Sequence, residues 1–150
     1  MIAFVPSSVE IGGVAVGPGR LLHGLRDLYA AARAGRAPGS VELAGRNLYI
    51  SEGCIECHTQ AVRPVGSDVG LGPVSIAGDY ANESPALLGG ARFGPDLMHF
   101  ATSSEFFDKV LVQASLQDPR ALRPWSTMPS YSYLSSDDLS ALVSYIETLR

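Results

Sequence analysis

Toward the C-terminus, apolar side chains fall at Leu139, Leu142, Val143, Ile146 and Leu149, the spacing that lines one face of a helix. Ser135 or Ser136 is placed to cap that helix, and Asp137 and Asp138 sit at the positive end of its dipole. A second helix is predicted over Glu42–Glu52, with Gly45 and Tyr49 one turn apart on the same face. Gly45 lets another helix come close, and Tyr145 can fill the notch against Tyr49, so the two helices are expected to cross. A third helix is predicted from Ser104 to about Gln117, capped by Ser103 or Ser104, with Phe106, Phe107, Val110 and Leu111 facing inward and Pro119 and Pro124 stopping it. The stretch Leu21–Arg33 carries Leu22, Leu25, Leu28, Tyr29 and Ala32 on one amphipathic stripe. Between Ala61 and Gly94 there is no clean period, so this passage reads as a long loop with room for a short β-hairpin.

Composition narrows the class. The chain has 150 residues and a formal net charge of −4, with 46% hydrophobic and 17% charged residues. That is enough apolar material for one packed domain and too little charge for a disordered acidic tail. No basic run exists, which argues against a nucleic-acid partner. The apolar opening Met1 to Val5 is cut by Pro6, too short to cross a bilayer or to form a whole signal peptide. The 16 glycines and 10 prolines require loops over much of the chain.

The two cysteines stand in Cys54-Ile55-Glu56-Cys57-His58, the attachment pattern of a c-type haem. Two thiols on one turn can each add across a haem vinyl group, and the adjoining imidazole is delivered to the iron. A dithiol/disulfide redox pair of the thioredoxin kind is the alternative, but it leaves His58 without a task. No strand-like run precedes the motif, as that alternative would require. For a second axial ligand, Met128 is the candidate, because Pro129 after it keeps the backbone extended. Met98, His99 and His23 are its competitors, His99 lying right behind the Gly94-Pro95-Asp96-Leu97 turn. A ligating imidazole usually donates its other N–H to a carbonyl, and Pro95 is the expected acceptor.

These residues carry a family resemblance. Gly45-Arg46-x-x-Tyr49-x-x-x-Gly53-Cys54-x-x-Cys57-His58, then Gly94-Pro95-Asp96-Leu97, then Met128-Pro129 and a terminal amphipathic helix resemble class I cytochrome c. The runs His58-Thr59-Gln60-x-x-Arg63-Pro64, Ser75-x-Ala77-Gly78-Asp79-Tyr80 with Pro85, and Asp118-Pro119-Arg120 leading to Ser126-Thr127-Met128-Pro129-Ser130-Tyr131 narrow it. They are similar to the membrane-anchored monohaem cytochrome c subunit of cbb-type haem-copper oxidases. The pattern departs at Ile55, where an aromatic is usual, near Leu88, where a Trp is missing, and at Arg92, which stands for a basic pair.

The resemblance implies an all-α cytochrome c fold, three to five helices around one covalently bound haem c, with long loops. It divides the chain into an N-terminal extension, 1–41, following a removed membrane anchor, and a monohaem domain, 42–150. Cys54 and Cys57 would attach the haem, His58 and Met128 would ligate its iron, Pro95 would orient His58, and Arg63 would neutralise a propionate, with Arg92, Arg123 and Trp125 as weaker candidates for contact. The expected function is electron transfer toward the oxygen-reducing subunit of a terminal oxidase, on the periplasmic side of a bacterial membrane. Its partners would be other oxidase subunits and a cytochrome c donor. A nitric oxide reductase subunit, a free periplasmic carrier and a peroxidase-like haem enzyme remain as alternatives.

Overall fold

The structure is a computed structural model that describes residues 9–11, 14–16, 39–81, 83–103 and 108–149. The chain divides into two units, Met1–Arg36 with Ile76–Asn82, and Ala37–Ser75 with Glu83–Arg150. In the first, strands β1 (Val9–Ile11) and β2 (Val14–Val16) form an antiparallel hairpin with Val9 opposite Val16 and Ile11 opposite Val14. A 3-10 turn follows at Ala77–Tyr80, where the Asp79 carboxylate accepts from the Ile76 N–H at 2.9 Å. The amphipathic stretch Leu21–Arg33, with His23, lies outside the described residues. The hairpin is therefore near the N-terminus, and none occurs among the described residues of 61–94.

The second unit is helical among its described residues, and the all-α expectation holds for it. Helix α1 (Ser40–Ser51) ends where Gly53 takes a left-handed φ of 71°, which a side chain would resist. After the 3-10 turns Cys54–Glu56 and Gly66–Asp68 come α2 (Phe100–Ser103), α3 (Lys109–Gln117), α4 (Pro119–Leu122) and α5 (Ser136–Glu147). Ser135 caps α5, its hydroxyl accepting from the Asp138 N–H at 3.1 Å. None of the described helices is long and apolar enough to cross a membrane.

Helices α1 and α5 cross at Gly45. A Cβ there would overlap the Ala141 carbonyl oxygen and stand 2.9 Å from the Tyr145 Cβ. One turn further along α1, the rings of Tyr49 and Tyr145 meet edge to face, centroids 5.4 Å apart. Such a pair contributes roughly 0.5–1.5 kcal/mol beyond its buried area. Around it, Leu139, Leu142, Val143, Ile146 and Leu149 close the core against Leu87, Leu97, Leu116 and Tyr131. Each leucine buried in this way stabilises the fold by on the order of 2 kcal/mol. Arg46 fastens the loop to α1: Nε and Nη2 reach Glu83 Oε2 at 3.0 and 2.9 Å, and Nη2 donates to the Pro85 carbonyl.

The third helix differs from its expectation. It starts at Lys109 behind Asp108, whose carboxylate accepts from the Val110 N–H at 2.7 Å, rather than behind a serine. Val110 and Leu111 are 73% and 49% exposed, so the inward face is the Val112–Leu116 pair one turn apart. That phase is set by tertiary contacts: Lys109 pairs with Glu147 of α5 at 2.7 Å, and the Leu116 carbonyl accepts from the Tyr131 N–H at 2.8 Å. Phe106 and Phe107 lie outside the described residues. Pro119 ends α3 and also opens α4, because Asp118 turns its carboxylate to the Ala121 N–H at 3.1 Å.

Candidate functional site

The motif Cys54–His58 follows directly on α1, and its turn is tight. The Cys54 carbonyl accepts from both the Cys57 and the His58 N–H, at 3.2 and 2.9 Å, which holds the two cysteines and the histidine within a single turn. The two cysteines form no disulfide. Cys54 is buried, and burial pushes its thiol up to about 11, against a smaller opposing effect of the Tyr131 hydroxyl bonded to its sulfur. A dithiol oxidoreductase needs the reverse, a thiolate stabilised near neutral pH. The environment therefore disfavours the thioredoxin-like alternative.

His58 is held from its other side. Its Nδ1 stands 2.8 Å from the Pro95 carbonyl oxygen, and since a carbonyl only accepts, Nδ1 carries the proton. In the neutral ring Nε2 then presents a lone pair, as a metal ligand must. Gly94 lies flat against the imidazole: a Cβ there would run into Cε1 and come within 2.8 Å of both Nδ1 and Nε2. Backbone bonds flank the ring on each side, from the Gly94 N–H to the Cys57 carbonyl at 2.9 Å and from the Leu97 N–H to the Thr59 carbonyl at 2.8 Å.

Behind this turn lies a charged cluster that the sequence did not announce. Asp68, its side chain fully buried, receives Nε and Nη2 of Arg63 at 3.0 Å each and Nη1 of Arg92 at 2.7 Å. Asp96 Oδ2 accepts from the Thr59 hydroxyl at 2.6 Å, the Ala61 N–H at 3.1 Å and Arg92 Nη2 at 3.1 Å, while Oδ1 accepts from the Met98 N–H at 2.9 Å. Arg92 Nε donates to the Thr59 hydroxyl at 2.7 Å, and Nη2 to the Ala61 carbonyl at 3.0 Å. An aspartate two residues ahead of a turn N–H was a readable signal for Asp96. Nothing near Asp68 or Arg92 in the chain names their partners.

The hydrogen bonds from Arg63 and then Arg92 hold the Asp68 carboxyl well below the usual carboxylate range. A carboxyl more acidic in the folded than in the unfolded chain stabilises the fold above its unfolded value, about 3.9, and loses that contribution as pH falls below it. The melting midpoint should accordingly drop with acidification below about pH 4. Asp68→Asn should flatten that part of the profile in thermal melts; an unchanged slope would place the acid sensitivity elsewhere.

The remaining candidates are placed as follows. Arg63 is engaged with Asp68 rather than reaching out alone. Met128 is half-buried against the core, on a loop where its N–H bonds the Ser126 hydroxyl at 3.2 Å. Met98 is fully buried, and His99 uses Nε2 to donate to the Pro73 carbonyl at 3.1 Å, so that nitrogen is committed. Trp125 is exposed. Two unpaired thiols on one turn, an imidazole whose Nδ1–H is already bonded, and a glycine in place of a side chain beside the ring together fit a haem joined at Cys54 and Cys57.

In comparison with known proteins, the chain matches the family Cytochrome C oxidase, mono-heme subunit/FixO, over residues 10–149. No curated protein matches the chain.

Proposed function

The chain belongs to the FixO family of mono-heme cytochrome c oxidase subunits, and on that premise we propose that it passes single electrons through one c-type haem bound covalently at Cys54 and Cys57. A haem held in this way supplies a ferrous/ferric couple. His58 would hold the iron through Nε2 and Met128 through its thioether, a ligand pair that would favour the reduced state. The observation that carries this reading is the His58 Nδ1 to Pro95 contact beside two unpaired thiols. Pro95 fixes the tautomer and the ring plane, Gly94 keeps the ring edge clear, and the α1–α5 crossing sets a water-poor core behind the motif. The domain acts within an oxidase complex on the periplasmic face of a bacterial membrane and is reduced by a cytochrome c donor.

Intact mass after denaturation should exceed the polypeptide by one haem, and the pyridine haemochrome spectrum should show both vinyl groups saturated. A chain of polypeptide mass, with haem extractable into acidic organic solvent, would refute covalent attachment.

A further inference from the structure

We infer that Arg92 is the positioning residue for the proximal imidazole, clamping the turn that carries the Pro95 carbonyl onto the segment that carries His58. The inference rests on the proposed ligation by His58. It starts from the donors of one guanidinium. Arg92 reaches Thr59 Oγ1 through Nε at 2.7 Å, Asp68 Oδ1 through Nη1 at 2.7 Å, and the Ala61 carbonyl and Asp96 Oδ2 through Nη2 at 3.0 and 3.1 Å. Three of these four acceptors lie on the two strips of chain that must meet for the His58 contact to exist, residues 59–61 and residue 96. The fourth, Asp68, balances the charge. The Thr59 hydroxyl completes the ring by donating to Asp96 Oδ2 at 2.6 Å.

The carbonyl of Pro95 is one residue from Asp96, and the His58 backbone one residue from Thr59. Whatever fixes Thr59 against Asp96 therefore fixes the Nδ1 to oxygen separation. Arg92 is mostly buried, with its side chain 21% exposed, so these bonds are only partly open to competition from water. A planar fork can satisfy acceptors on several sides at once, whereas an ammonium is a point charge at the end of a flexible stem. The bond that Arg92 steadies makes the imidazole a better donor to iron. Loosening it weakens support for the ferric state, so the reduction midpoint should move upward.

Charge loss near a haem also moves a potential, so the informative variant keeps the charge. In haem-loaded Arg92→Lys, the His58 Nδ1 proton, followed by NMR in the reduced protein, should exchange with solvent about tenfold faster, the scale of one weakened hydrogen bond. The reduction midpoint should rise together with it. Lys109→Gln, which breaks the α3–α5 ion pair instead, should change neither. If Arg92→Lys yields no loaded protein, Thr59→Val is read in the same way, since it removes the Nε acceptor and the Asp96 donor while leaving Asp68 paired. Wild-type exchange and midpoint in the loaded variant would overturn the positioning role alone. A wild-type protein whose iron is not bound by His58 would overturn the proposed function, and this inference with it.

Discussion

Gly45→Val is expected to lower the melting midpoint of the haem-loaded protein by on the order of 10 °C. The first added carbon would overlap the Ala141 carbonyl oxygen, a backbone atom that cannot rotate away, and would crowd the Tyr145 Cβ. Relief requires α1 and α5 to separate, which also parts the Tyr49 and Tyr145 rings and opens the core around Leu142. Overpacking ordinarily costs about 1–3 kcal/mol, and a backbone clash belongs at the upper end. Gly66 is the control, because a Cβ there meets nothing within 4 Å. Gly66→Ala should stay within about 1 kcal/mol of wild type. Equal effects at the two positions, in thermal melts by circular dichroism, would show that the crossing is not under steric control.

Met128→Ala should abolish the weak far-red sulfur-to-iron band of the ferric protein and open the iron to cyanide. The reduction midpoint should fall by on the order of 0.2 V, within the roughly 0.8 V that axial ligands span. Stability should suffer less than in Gly45→Val, since Met128 is only half-buried. The competitors are tested alongside. If Met98→Ala or His99→Ala produces the spectral change and Met128→Ala does not, the second ligand is misassigned.

How much of this was legible depended on the range of the interactions. The stripe of α5, its Ser135 cap and the match of Gly45 and Tyr49 to Tyr145 could be read because helical period, capping and residue size are local properties of the sequence. The Cys54–His58 motif could be read because its chemistry is compressed into one turn. The Gly94-Pro95 turn stood out because few other segments offer a fixed carbonyl. The face of α3 was misjudged because Val110 and Leu111 look like a core pair, while the contacts that decide its rotation run to Glu147 and Tyr131. The bonding of Arg92 could not be read for the same reason. Its partners Thr59, Ala61 and Asp68 lie more than a helix length away in the chain, and an arginine in a loop looks the same whether it is solvated or pinned. Arg63 was matched by pattern to a propionate, and its bond to the buried carboxylate of Asp68 five residues on was not legible beside that match.

The segment that carries Met128 begins and ends on the same helix terminus. Asp118 closes α3, the Ser130 hydroxyl returns to the Gln117 carbonyl, and the Tyr131 N–H returns to Leu116. A local opening of a strap fastened at one point would break a few hydrogen bonds and the packing of Met128, and would not require α1 to part from α5. His58 sits on backbone bonded on both sides to residues 94 and 97 and continuous with α1. The two segments thus differ in how they are tied: that of His58 is bonded from both sides, and that of Met128 returns to a single helix terminus.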